Sequence, residues 1–124
     1  MFMSVQKKVL VVDDQEGIRR LLYETCVLLG YDAVTAPSGL EAIKLPKLDE
    51  FKAALIDMKM PGLNGIETMN RLQSLYPGLQ VALMTGYGEM YPAEEETVNL
   101  ASCNIIRKPF DLDEIKKFLE IVFR

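Results

Sequence analysis

Short apolar runs that alternate with stretches of helical periodicity restrict this chain to one fold class. Lys8-Val-Leu-Val-Val12 is apolar at consecutive positions. A strand tolerates that only when both of its faces are covered, as in a parallel sheet. Ile18, Leu22, Thr25 or Cys26, and Leu29 then recur at helical spacing, and Gly30 stops the helix. Tyr31–Ala36 is a weaker strand, expected at an edge. Ser38-Gly-Leu-Glu41 has the pattern of a capping box opening a second helix, which Pro46 should end or distort. Phe51–Ile56 is another apolar strand. Asn64-Gly-Ile-Glu67 caps a third helix with Ile66, Met69 and Leu72 on one face. Gln80–Met84 is a fourth strand, and a helix is expected over Pro92–Ser102 with proline in its first turn. Cys103–Arg107 is the fifth strand. Asp111-Leu-Asp-Glu114 caps a last helix whose Leu112, Ile115, Leu119 and Val122 should face inward. Five strands alternating with five helices predict an α/β chain, a doubly wound parallel sheet with helices on both faces.

At 124 residues the chain fits one domain, and the absence of repeats or linker-like stretches supports treating it as one unit. An apolar share of 49% rules out a disordered tail and supplies a real core. No apolar run approaches the roughly 20 residues of a membrane helix. Met1–Lys8 has no stretch that could act as a signal peptide, so a cytoplasmic location is the default. Cys26 and Cys103 read as reduced, buried thiols. With 18 acids against 14 scattered bases, the net charge is −4, and no basic stripe suits direct nucleic-acid binding. There is no histidine. Ser-His-Asp and Cys-His catalysis are therefore excluded, and any bound metal must be held by oxygen, which points to a hard cation such as magnesium.

In doubly wound sheets, ligands lie beyond the carboxyl ends of the strands. Here the first strand ends in Asp13-Asp14, the third in Asp57, the fourth in Thr85 and the fifth in Lys108. Taken singly, each has a plain alternative: Asp14 could merely cap the first helix, and Lys108 could be a solvated lysine. Together they bring three carboxylates, a hydroxyl and an ammonium to one sheet edge. That set carries a net −2, which one divalent cation would neutralise. The same metal could then bridge to a phosphoryl group.

Val9-Leu-Val-Val-Asp-Asp14, Leu55-Ile-Asp-Met-Lys-Met-Pro-Gly62, Met84-Thr-Gly-Tyr-Gly88 and Lys108-Pro-Phe110 together resemble the receiver domains of two-component response regulators. The resemblance runs from about Lys7 to Val122, essentially the whole chain. Within that family the chain is most similar to the free-standing phosphorelay receivers of bacterial sporulation. Asp14-Gln-Glu-Gly-Ile18, Asp57-Met-Lys59, Tyr87-Gly-Glu89 and Lys108-Pro-Phe-Asp-Leu-Asp-Glu-Ile115 carry that closer likeness.

The resemblance implies a flavodoxin-like (βα)5 receiver fold with strand order 2-1-3-4-5 and no output domain within the chain. It implies that Asp57 accepts a phosphoryl group from a phosphohistidine on a sensor histidine kinase or a histidine phosphotransferase. Asp13, Asp14, Asp57 and the backbone carbonyl of Lys59 would hold Mg2+ or Mn2+. Thr85, Lys108 and the backbone amides of Met58 and Gly86 would bind the phosphoryl oxygens, with Lys108 positioned by a cis Lys108–Pro109 bond. The only catalysis expected is the domain's own phosphorylation and dephosphorylation. Gln15, Gly17, Ile18, Leu21, Pro109 and Phe110 would form the surface for the helical partner, with an exposed Phe110 as its anchor. Many receivers carry a switching aromatic three residues before the lysine. Ile105 stands there in this chain, so that switch is absent or relocated. Other readings are a phosphorylation-independent interaction module on the same scaffold or a magnesium-dependent flavodoxin-like enzyme. The adjacent Asp13-Asp14 pair lacks the Asp-x-Asp spacing of haloacid-dehalogenase-type phosphatases.

Overall fold

The computed structural model describes residues 7–86 and 103–124. The helix expected over Pro92–Ser102 and the Tyr87-Gly-Glu89 stretch lie outside the described residues. The strands are β1 (Lys8–Val12), β2 (Asp32–Ala36), β3 (Phe51–Asp57), β4 (Gln80–Thr85) and β5 (Cys103–Arg107). The helices described are α1 (Glu16–Leu28), α2 (Gly39–Ile43), α3 (Gly65–Leu75) and α4 (Leu112–Val122), with a 3-10 turn at Leu48–Glu50. All strand pairs are parallel, in the order β2-β1-β3-β4-β5.

Strand alternation divides the core between two faces. Leu10 and Val12 of β1, Ala54 and Ile56 of β3, and Val81 and Leu83 of β4 pack with Ala42, Ile66, Met69 and Leu72, under α2 and α3. Val9 and Val11, Ala53 and Leu55, and Ala82 and Met84 pack with Leu22, Cys26, Ile115 and Leu119, under α1 and α4. Each fully buried Leu or Ile contributes about 1.5–3 kcal/mol by leaving water. Covering both faces is what the consecutive apolar residues of β1 and β3 require. Cys26 and Cys103 belong to opposite faces, remain free, and are each pushed up to about 11 by burial. Among the described residues, no helix is long and apolar enough to cross a membrane.

Local signals in the sequence account for the element ends. Gly30 takes φ +92°, its N–H donates to Val27 O (3.0 Å) and the Tyr31 N–H donates to Cys26 O (2.9 Å), a Schellman closure of α1. Asn64 and Glu67 form a reciprocal capping box on α3 (2.8 and 3.1 Å). At α2 only half of that pattern forms, with Ser38 Oγ accepting from the Glu41 N–H. The helix ends after five residues, ahead of Pro46, and Lys47 turns the chain at φ +58°.

One expectation needs correction. Leu112 does not face inward: it is 55% exposed, and Phe118 is buried beside Ile115 and Leu119 instead. Leu112 is the first residue of α4, so its side chain precedes the stretch that lies on the sheet. The plain alternative for Asp14, a cap on α1, does not hold. Gln15 holds that position without a side-chain bond, and its N–H is taken by Asp13 Oδ1 (2.9 Å).

Candidate functional site

The order β2-β1-β3 places the reversal of winding beside β1, so the carboxyl ends of β1 and β3 flank a crevice. Asp13 follows the last β1–β3 pair, Val12–Ile56, and Asp57 is the last residue of β3. Asp13 and Asp57 are buried, whereas Asp14 is exposed. One oxygen from each of Asp13, Asp14 and Asp57 lies within 4.8 Å of the others. Opposite ligands on an octahedral Mg2+ are separated by about 4.2 Å, twice the metal–oxygen distance. An all-oxygen set of this span suits a hard divalent cation.

Lys108 enters from beyond β5. Its Nζ donates to Asp57 Oδ1 at 3.0 Å and to Asp13 Oδ2 at 3.5 Å. The Lys108 N–H donates to Thr85 O at 2.7 Å, tying the ends of β5 and β4 together, and the Lys108–Pro109 bond is cis. Thr85 is buried at the end of β4, with Gly86 next to it.

Electrostatics follows from this crowding. Burial pushes the Asp57 carboxyl up from 3.8 to about 6. The Lys108 hydrogen bond and charge oppose the rise, while Asp13 and Asp14 add to it. Burial acts to lower Lys108, but its hydrogen bond to Asp57 and the charges of Asp13 and Asp57 outweigh that, and its pKa is raised. A lone ammonium therefore stays charged here and under-neutralises three acids, the condition that favours a second cation.

The structure brings Asp13, Asp14, Asp57, Thr85 and Lys108 to one edge, as the strand ends suggest. Lys59 is exposed two residues after Asp57, and its carbonyl accepts no hydrogen bond among the described residues. The Met58 amide is not available to a bound group. Its N–H donates to Met84 O at 2.9 Å, extending the β3–β4 ladder, and its carbonyl accepts from Gly65 N at 2.8 Å. The next amide, that of Lys59, has no backbone partner among the described residues. Gln15, Gly17 and Pro109 are exposed, and Ile18 is half-buried. Phe110 is not an exposed anchor: it is half-buried and packs with Ile18 against the α1–α4 side of the core. Ile105, in place of an aromatic, is half-buried against the other face.

Two contributors escape sequence reasoning. Gly65 sits where a Cβ would lie 2.4 Å from Asp57 O, so only glycine lets α3 start against the end of β3. The Asn-Gly pair at 64–65 is the one signal that could have flagged it. Arg19 Nη1 donates to Asp13 O at 2.9 Å, and nothing in its spacing announces that.

A model of the response regulator receiver domain matches residues 9–120. Sporulation initiation phosphotransferase F of Bacillus subtilis (strain 168) is 38% identical over 94% of this chain and 97% of its own length. Regulatory protein AtoC of Escherichia coli (strain K12) is 30% identical over 95% of this chain, which spans 25% of that longer protein. A response regulator receiver domain protein from Clostridium thermocellum superposes with a TM-score of 0.82 at 23% identity, covering 94% of this chain and 93% of its own.

Proposed function

The chain belongs to the response regulator receiver domain family, and from that premise we propose that Asp57 accepts a phosphoryl group from a partner phosphohistidine with a divalent cation bound beside it. The observation that carries this reading is the contact of Lys108 with both Asp57 and Asp13 at an edge that gathers three carboxylates. Asp13, Asp14, Asp57 and the Lys59 carbonyl are the ligands proposed for Mg2+ or Mn2+. The metal would supply charge neutralisation at the phosphoryl oxygens.

The chain's own groups do the rest. Lys108 is already drawn toward Asp57 Oδ1 and can follow charge onto the incoming group. Thr85 lies at the neighbouring strand end, within the same edge. The arrangement acts by alignment and charge stabilisation of an in-line transfer. The donor must come from outside, because the chain contains no histidine. The relative's name, a phosphotransferase of sporulation initiation, supports a relay role with a sensor kinase or histidine phosphotransferase as partner. The exposed Gln15, Gly17 and Pro109, with half-buried Ile18 and Phe110 beside them, are the surface proposed for that partner.

Intact mass after incubation with acetyl phosphate and Mg2+ tests the reading. One added phosphoryl group, lost in Asp57→Asn and in EDTA, is expected. Failure of both this adduct and beryllofluoride binding would leave an interaction module on a receiver scaffold.

A further inference from the structure

We infer that Arg19 is a positioning residue for Asp14, the exposed acid of the cluster, and acts by locking the peptide that joins it to Asp13. The inference rests on the metal site proposed above and concerns how this chain sets it up.

β1 makes its last pairs at Val12, with Ala36 of β2 and Ile56 of β3, and no backbone N–H among the described residues reaches the Asp13 carbonyl. Asp13 is fully buried, and a buried carbonyl needs a donor. Arg19 supplies it. From the first turn of α1 its side chain points back toward the helix N-terminus, and Nη1 donates to Asp13 O at 2.9 Å. That oxygen shares a rigid peptide plane with the Asp14 N–H. Fixing the oxygen fixes the direction in which the chain enters the Asp14 Cα. The other side of the joint is held as well, since the Asp13 N–H donates to Ala36 O at 3.2 Å and the Gln15 N–H to Asp13 Oδ1 at 2.9 Å. Asp14 needs such help because its carboxylate has no hydrogen bond among the described residues. Its place in the cluster is set by backbone alone.

The sign of the effect separates positioning from charge. Arg19 is a cation near a cation site, so as a mere neighbouring charge it would weaken metal binding, and its removal would tighten it. As a positioning residue its removal must loosen binding. Outer partners of metal ligands typically change affinity by about 10- to 100-fold.

The test is a double-mutant cycle on Mn2+ affinity, read from free Mn2+ by electron paramagnetic resonance, with thermal melts to establish folding. Arg19→Met is expected to weaken Mn2+ by about tenfold in the wild-type background and by less than about twofold in Asp14→Asn, because the two act as one unit. Arg19→Lys keeps the charge and runs the same cycle should Arg19→Met fold poorly. Unchanged or tighter binding, or an equal loss in both backgrounds, overturns the inference while wild-type binding keeps the metal site intact. A wild-type chain that takes up no Mn2+ overturns the metal site and the inference with it.

Discussion

Replacing Asp57 with asparagine should make the metal-free domain more stable at neutral pH, although it removes the proposed phosphoacceptor. Burial holds the Asp57 carboxyl at about 6 in the folded chain, against 3.8 for an ordinary aspartate. Between those values the folded state keeps a proton that the unfolded state has lost. Stability therefore falls as pH rises through that window, and the deficit persists above it. The difference of roughly two pKa units corresponds to about 3 kcal/mol at pH 7.5. Asparagine keeps an oxygen for Lys108, which now donates to Asp57 Oδ1 at 3.0 Å, without the buried charge. In a domain of this size the gain is worth about 10 °C in Tm. Urea or thermal unfolding in EDTA at pH 4 and pH 7.5 would read it. The variant should exceed wild type at pH 7.5 and match it near pH 4. Saturating Mg2+ should close the gap by stabilising wild type selectively. Equal pH profiles, or an asparagine variant weaker at pH 7.5, would refute the claim that burial of this charge dominates the site.

Three further outcomes follow from the same geometry. Because Asp57 is half-protonated near pH 6, Mg2+ binding should release about half a proton there and almost none at pH 8. Calorimetric titration in buffers of differing ionisation enthalpy measures this directly. Lys108→Ala removes the donor at 3.0 Å from Asp57 and should slow phosphorylation by acetyl phosphate about 100- to 1,000-fold. Mg2+ affinity in that variant should hold or rise, since a competing cation has gone. Gly65→Ala places a methyl 2.4 Å from the Asp57 carbonyl, so it should cost about 1–3 kcal/mol in denaturant unfolding and displace the proposed acceptor.

How much of this was legible in the sequence depended on the kind of physics involved. Burial on both faces was visible in the runs Val9–Val12 and Ala53–Ile56, because side-chain period and apolar character are properties of residues. The gathering of Asp13, Asp14, Asp57, Thr85 and Lys108 was visible too, since parallel winding sends every strand end to the same edge. Hydrogen-bond allocation was hidden. Whether the Met58 amide is free depends on the β3–β4 register, where Asp57 pairs with Met84 and the next N–H is taken by the Met84 carbonyl. No local pattern encodes that register. The inward turn of Phe110 and the outward turn of Leu112 were hidden for a related reason. Both lie near the start of α4, where helical periodicity says little about which side chains reach the core.

The three acids divide their duties in a way that composition alone could not reveal. Every hydrogen-bonding group of Asp13 is engaged: its N–H by Ala36, its carbonyl by Arg19, Oδ1 by Gln15 and Oδ2 by Lys108. Asp57 is shared with the same lysine and held partly in its acid form by burial. Asp14 is exposed and without a side-chain partner among the described residues. A magnesium ion gives up its waters reluctantly, so it is best met by one acid that water already reaches. Under the proposed metal site Asp14 would suit that first encounter, and the committed Asp13 would offer a fixed second point. Asp57, whose proton must leave before it could serve as ligand or acceptor, would then couple occupancy to pH. On this reading the exposed acid would govern capture of the ion and Asp57, the acid whose pKa burial raises, would govern chemistry, while the joint between Asp13 and Asp14 would set how the first two acids face the ion.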